Sequence, residues 1–176
     1  MDSATRLDAI DWAILERLQS DATIQNKDLA AQVGIAPSTC LDRVRRLRER
    51  QVIVGYHAEV SPEAVGLAVQ AILAVQVRPH TREVFARFVD FALDVPEVRA
   101  LFHVSGEADF LVHVACVDTR HLQQLVLDEV QTRKEVVAVH SSIVYEQVRK
   151  DALRPPDPVR TPSLITPRAQ ARRRRP

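Results

Sequence analysis

The sequence has 176 residues, of which 46% are hydrophobic and 27% charged, and its formal net charge is +1. This composition argues against a wholly disordered chain and against binding to nucleic acid through bulk positive charge, and it allows two small domains. No apolar run is long enough for a transmembrane helix and no secretory signal is recognisable, so we expect a cytoplasmic protein without membrane contact. The two cysteines, Cys40 and Cys116, favour buried thiols over a disulfide framework.

The first 34 residues have the pattern of two helices. In the first helix apolar side chains recur every four residues, at Ile10, Ile14 and Leu18. Asp8 is placed to cap its N-terminus. Asn26 is the predicted cap of a short second helix, and Gly34 is expected to end that helix because glycine adopts the left-handed conformation at little cost.

A third helix is predicted from Pro37, which suits a first helical turn. Its apolar face is formed by Cys40, Val44 and Leu47. Hydroxyl and guanidinium groups lie on its other side, at Ser38, Thr39, Arg43 and Arg46. Such groups contact phosphates and base edges, although a basic helix face is often only solvated. The preceding helix and glycine turn complete a helix-turn-helix pattern, which favours reading of DNA.

Beyond residue 51 the periodicity changes to that of strands. VIVGYHAEV is β-prone, SPEAVGL is typical of a linker, and strand and helix patterns then follow in the order βαββαβ. Helices cover only one face of such a sheet. We therefore predict that the other face packs on a second copy of the chain, which makes the protein a dimer.

The predicted fold class is α+β. It comprises a winged-type helix-turn-helix domain over residues 1–54, a strand and linker over 55–67, and a ferredoxin-like βαββαβ domain over 68–149. Residues 150–176, rich in proline and arginine, are predicted to form a disordered basic tail. For the run Arg172 to Arg175, a sequence-independent contact with DNA competes with simple solvation.

Two long segments resemble the Lrp/AsnC (feast/famine) family of transcriptional regulators. They are LDAIDWAILERLQSDATIQNKDLAAQVGIAPSTCLDRVRRLRERQVIVGYHA, and FHVSGEADFLVHVACVD followed by VHSSIVYEQVRK. The resemblance implies a regulator of double-stranded DNA that dimerises through its sheets and assembles into octamers or other multiples of dimers. Because each dimer offers two recognition helices, we expect palindromic operators. The resemblance also implies a small effector, usually an amino acid, that binds between dimers. We expect no enzymatic activity and no cofactor, because no nucleophile, base or set of metal ligands converges in the sequence.

The resemblance assigns roles to individual residues. It places the DNA-reading positions at Ser38, Thr39, Arg43 and Arg46. It places the effector-binding loop at Val104, Ser105, Gly106 and Asp109, with Ser141 and Ser142 on the strand opposite. Gly106 would let the backbone approach a ligand whose carboxylate meets neighbouring N–H groups, and Asp109 would meet its α-ammonium group. The competing interpretation is an ordinary β-turn with a solvated acid.

Three residues depart from the family pattern. Ala36 stands where a serine cap is usual, Gln51 where a helix-ending glycine is usual, and Glu135 where a glycine commonly precedes the last strand. Glu135 is expected to reshape one wall of the effector pocket.

An architectural DNA-compacting protein without an effector is the alternative to a metabolite-responsive regulator.

Histidine and cysteine side chains can bind metal ions, but strand geometry argues against a metal site formed by His113 and Cys116. Residues three apart in a strand point to opposite faces, so His113 and Cys116 are not expected to share an ion. His103 and His140 lie near the predicted pocket, where interface packing is favoured over pH sensing.

Overall fold

The computed structural model describes residues 7–148 and Leu153. The chain divides between Tyr56 and His57 into two compact units, one containing the first helices and the other the sheet. The predicted tail, including Arg172 to Arg175, lies outside the described residues except for Leu153. Within the part of the chain that is described, no helix combines the length and hydrophobicity needed to span a bilayer.

The first unit contains three helices: α1 (Ala9–Ser20), α2 (Asn26–Val33) and α3 (Pro37–Glu49). The predicted cap of α1 is confirmed, because the Asp8 side chain accepts a hydrogen bond from the Asp11 amide, and the Asp11 side chain accepts one from the Asp8 amide. The three helices share a small apolar core of Ile14, Leu15, Leu29, Ala30, Cys40 and Leu47. This core fixes the side of α3 that remains outside.

The turn between α2 and α3 differs from the prediction in one detail. Gln25, not Asn26, is the N-cap of α2, and the Asn26 side chain instead donates to the Pro37 carbonyl at 2.8 Å. This amide therefore ties the start of α2 to the start of α3. Gly34 ends α2 in the left-handed conformation at φ 72°, as predicted, and Ala36 caps α3 without a side-chain hydrogen bond.

Helix α3 ends without the glycine that usually occupies this position. Gln51 itself adopts the left-handed conformation at φ 55°. Its amide donates to the Arg48 carbonyl, and the Val52 amide donates to the Leu47 carbonyl, both at 2.9 Å. This is the Schellman arrangement, so the backbone hydrogen bonds are retained, but a residue with a side chain carries the unfavourable φ.

The strand predicted within residues 55–67 is absent from this structure. Residues 54–60 have no regular structure, and a short 3₁₀ helix follows at Glu63–Val65. A strand requires a hydrogen-bonded neighbour, and none of the four strands described below pairs with this segment. Its β-prone composition alone is therefore insufficient to form a strand in a single copy.

The second unit has the predicted βαββαβ order. The elements are β1 (Val69–Val77), α4 (Arg82–Asp94), β2 (Val98–His103), β3 (Phe110–Cys116), α5 (Thr119–Gln124) with a π-helical extension (Leu125–Val130), and β4 (Val136–Ile143). The strands form one antiparallel sheet in the order β2-β3-β1-β4. The ferredoxin-like α+β architecture is thus confirmed.

The two faces of this sheet differ. One face packs on the helices through a core that includes Leu73, Val75, Phe88, Phe110 and Val112. The other face carries no helix of this unit. Strand register aligns apolar residues across its centre: Ile72 and Ala74 from β1, Leu111 from β3, and Phe102 from β2. This second face is called the open face below.

Candidate DNA-binding face and effector site

The outer side of α3 presents three of the four predicted DNA-reading side chains. Ser38 and Thr39 are exposed in the first turn, and Arg46 is exposed two turns later. Arg46 makes no ion pair with any residue that the structure describes, whereas its neighbour Arg45 pairs with Asp42 at 3.2 Å and Glu49 at 3.7 Å. Arg46 therefore keeps its hydrogen-bond donors available for an external acceptor.

The fourth predicted side chain, Arg43, turns toward α1. Its Nη1 lies 2.6 Å from Asp8 Oδ2 and 2.9 Å from Asp11 Oδ1, and its side chain is only 26% exposed. The Asp8 and Asp11 hydrogen bonds raise the pKa of Arg43. The pKa of Asp8 is lowered by the Asp11 amide and then by Arg43. Arg43 thus fastens α3 to the start of α1, in addition to the apolar core.

The position of Arg43 on the helix explains why the sequence pattern did not predict this contact. Arg43 lies three residues after the buried Cys40 and four before the buried Leu47, so it borders the apolar side of α3. The available signal was the pair of acids, Asp8 and Asp11, at the start of α1, where they also form the capping box.

The predicted effector loop is the hairpin that connects β2 to β3. The Val104 amide donates to the Asp109 carbonyl at 2.9 Å, and the Asp109 amide donates to the Val75 carbonyl at 3.0 Å. Ser105 and Gly106 are exposed at the tip. Gly106 has φ 129°, which L side chains rarely adopt, and the space where a Cβ would project is open. The tip therefore presents accessible backbone, as a ligand contact would require.

Asp109 is already engaged within the chain. Its Oδ2 accepts hydrogen bonds from the Val77 amide at 2.8 Å and from Arg78 Nη1 at 3.1 Å, and its Oδ1 lies 3.0 Å from His80 Nε2. Burial raises the pKa of Asp109, but the Val77 amide, His80 and Arg78 outweigh it and leave the pKa below its ordinary value. Asp109 therefore fastens the hairpin to the end of β1.

Ser141 and Ser142 lie elsewhere on the sheet. Ser141 is opposite the core residue Leu73, on the helix-covered side, and Ser142 is opposite Ile72 on the open face. Strand β1 separates β4 from β3, which spans two strand spacings, or roughly 10 Å. A single chain does not bring these serines and the hairpin into one pocket.

The chain matches two family descriptions in collinear order. Residues 7–48 match the AsnC-type helix-turn-helix domain, and residues 70–153 match the Lrp/AsnC ligand binding domain. The chain belongs to the Lrp/AsnC family. It is accordingly a DNA-binding transcriptional regulator and not an enzyme.

Individual members of the family are similar over most of their length. The HTH-type transcriptional regulator AldR of Mycolicibacterium smegmatis is 39% identical over 146 residues, which is 83% of this chain and 85% of AldR. A leucine-responsive regulatory protein of Rhizobium meliloti is 37% identical, over 83% of this chain and 93% of its own. The crystal structure of a Neisseria meningitidis regulator in complex with L-Met superposes with a TM-score of 0.78 at 30% identity, covering 83% and 94%.

In this Lrp/AsnC regulator Glu135 has a structural role of its own. Its Oε1 accepts hydrogen bonds from Arg133 Nε at 3.1 Å and Nη2 at 2.9 Å, and its carbonyl accepts one from the Arg78 amide at 2.7 Å. Burial opposes ionisation, but the backbone and Arg133 together lower the pKa of Glu135. Where the family pattern has glycine, this chain has a buried anion that pairs with Arg133, while the backbone carbonyl of the same residue joins the start of β4 to the end of β1.

The other candidate side chains of the regulator occupy separate places. Cys116 lies in the core, where burial, Glu97 and Asp118 raise its pKa to about 11, whereas the His113 ring lies 3.0 Å from Gln70 Oε1. His103 stacks on Phe110 with 5.0 Å between ring centroids. Among the described residues, no group of three or more His, Cys, Asp or Glu side chains is arranged to hold a metal ion.

Proposed function

We propose that the α3 face reads operator DNA through Ser38, Thr39 and Arg46, and that a small effector, most simply an amino acid, controls DNA affinity or oligomeric state. The observation that carries this proposal is the exposed α3 face. Its inner side packs on α1 and α2 and Arg43 pairs with the start of α1, while Arg46 has no ion-pair partner among the described residues. Arginine pairs bidentately with guanine or with phosphate oxygens. Arg43 contributes by positioning the helix.

The open face of the sheet supports assembly. Ile72, Ala74, Phe102 and Leu111 form an apolar centre without a covering helix. Packing two copies through this face would bury it and give a dimer with two α3 helices. We therefore propose palindromic operators, with half-sites about one helical turn or a multiple apart. Further association of dimers, up to an octamer, would engage several half-sites together.

The effector site is proposed to form between copies. The hairpin supplies Val104, Ser105, Gly106 and Asp109, and a different copy would supply Ser141 and Ser142, because one chain keeps the two groups apart. The exposed Gly106 backbone suits a carboxylate. An α-ammonium group would reach Asp109 only by competing with Arg78 and His80. The L-Met complex of the Neisseria regulator favours an amino acid as ligand.

The DNA-reading proposal is tested with Arg46→Ala on a duplex selected by the wild-type protein from random sequences. Loss of one bidentate contact should weaken binding by about 1–3 kcal/mol, or roughly fivefold to 150-fold. Arg120→Ala, which removes an exposed arginine from the sheet unit, is the matched control and should leave affinity within about twofold of wild type. Unchanged affinity for folded Arg46→Ala protein would refute the proposal.

The effector proposal is tested by titrating the twenty amino acids while measuring duplex affinity and particle mass. At least one should shift duplex affinity about five- to 150-fold, the usual range of coupling between sites. That response should be lost in the Gly106→Val protein. Its circular dichroism spectrum should match that of wild type, which serves as the control for folding. A flat response to all twenty would support an architectural DNA-compacting protein.

A further inference from the structure

A concave groove lies at the end of the sheet where β1 finishes and β4 begins. It is open to solvent, has a volume of about 520 Å³, and is lined by the loop after β1, the first half of α4 and the turn before β4. The hydrogen bond from the Arg78 amide to the Glu135 carbonyl holds two of these walls together. The lining residues are Arg78, Pro79, Val84, Arg87, Thr132, Arg133, Lys134 and Glu135.

The groove is lined mainly by positive charges, whereas the unit that contains it is acidic. Residues 57–148 contain seven Lys and Arg against thirteen Asp and Glu. Four of those seven cations line the groove, but only one of the thirteen acids does. An acidic unit thus concentrates its positive charge around one recess, where the low-dielectric wall strengthens the field.

Two of the four cations are neutralised inside the chain. Arg78 pairs with Asp109, and Arg133 pairs with Glu135 while its guanidinium lies 4.6 Å from the centre of the Phe91 ring. The side chains of Arg78 and Arg133 are therefore fixed in place. They form a preorganised frame for the rest of the groove.

Arg87 and Lys134 are the remaining cations. Both residues are exposed, and neither forms an ion pair within the described part of the chain. Arg87 attracts Glu83 and Glu135 at longer range and so helps to lower the pKa of both carboxyl groups. The groove therefore retains two positive charges that form no ion pair among the described residues, Arg87 on α4 and Lys134 in the turn before β4.

We propose that this groove binds a small organic anion that carries a phosphate or a pair of carboxylates. Arg87 offers a planar fork for two oxygens and Lys134 offers a point charge, while Pro79 and Val84 contact the carbon skeleton. The volume is within the range of small-molecule sites, and a recess of this size suits a discrete ligand better than a duplex backbone. None of the lining residues belongs to the hairpin, to which the groove is linked through the ion pair of Arg78 with Asp109.

The test is calorimetric titration of the full chain with two probes, inorganic phosphate and malonate. Saturable binding of one probe is expected, and the tighter probe identifies the anionic group. Arg87→Gln combined with Lys134→Gln should weaken that binding at least about tenfold, since each removes a charge-assisted hydrogen bond. Lys134→Gln alone should give a smaller loss in the same direction.

Arg99→Gln combined with Arg120→Gln is the matched control, because it removes the same charge from exposed positions outside the groove. Its probe affinity should stay within about twofold of wild type. The proposal is overturned if neither probe binds saturably, or if the control loses as much affinity as the groove variant. If neither probe binds but the groove variant lowers duplex affinity and its salt dependence, the cations contact DNA phosphates instead.

Discussion

The helix-turn-helix unit and the sheet unit differ in how much of the predicted binding site a single copy contains. In each, one charged residue of the binding pattern is used internally: Arg43 holds α3 to α1, and Asp109 holds the hairpin to β1. The helix-turn-helix unit nevertheless completes its exposed face within one copy. The sheet unit instead leaves the hairpin and Ser142 in separate places beside an uncovered apolar face. We infer that the helix-turn-helix unit of one copy is sufficient to contact DNA, whereas effector binding requires the assembly of several copies.

The largest expected effect concerns that uncovered face. Leu111→Glu places a carboxylate at the centre of the open face, and burying it should weaken dimerisation by about 3 kcal/mol or more, roughly a hundredfold or greater. Leu93→Glu on α4, where the leucine is 68% exposed, is the matched control and should leave the dimer intact. Sedimentation over a concentration series measures both. A Leu111→Glu protein that dimerises like wild type would exclude the open face as the interface.

Arg43→Leu separates positioning from DNA contact. Removing the guanidinium leaves Asp11, whose side chain is 13% exposed, without its cation, so the free energy of unfolding should fall by about 1–3 kcal/mol. Arg45→Leu removes an exposed ion-paired arginine and should cost less than about 0.5 kcal/mol. Urea unfolding measures both values. If Arg43→Leu were neutral in stability but reduced the salt slope of DNA binding by about one, Arg43 would be a phosphate contact.

The fastening role of Asp109 predicts a pH dependence. Its folded pKa lies below the ordinary value, so its stabilisation is fully present above about pH 5 and is lost as pH falls through the folded pKa. Asp109→Asn should therefore lower the free energy of unfolding by about 1–2 kcal/mol at neutral pH, with a smaller difference near pH 3. Urea unfolding at several pH values measures this difference. A deficit that stayed constant with pH would show that charge is not the cause.

The smallest expected effect compares two helix ends, one in each unit. Gln51 has φ 55°, so Gln51→Gly removes the strain of a left-handed side chain and should stabilise the protein by about 0.5–1 kcal/mol, offset slightly by loss of its 3.2 Å bond to the Arg48 carbonyl. Gln131 has φ −74°, so Gln131→Gly should give no gain. Thermal unfolding measures both. Equal shifts for the two variants would contradict the conformational explanation.

Local patterns were sufficient for most of the fold. The Asp8 cap, the Gly34 stop and the order of helices and strands follow from short-range rules that act over a few residues. The strand prediction was wrong for the β-prone segment at residues 54–60. A strand depends on a hydrogen-bonded neighbour, which one copy does not provide. Asn26 does not cap α2 as predicted, because its side-chain amide donates a hydrogen bond to the Pro37 carbonyl at the start of α3.

The sequence by itself determined the helix-turn-helix, the βαββαβ order and the outward positions of Ser38, Thr39 and Arg46 on α3, since periodicity and caps are local properties. Only the tertiary structure decided which charges remain available. Arg43 and Asp109 meet partners that are 29 to 35 residues away in sequence, while Arg87 and Lys134 are brought to one groove by elements far apart in the chain. Electrostatic pairing depends on distance in space, and spacing along the sequence does not specify that distance.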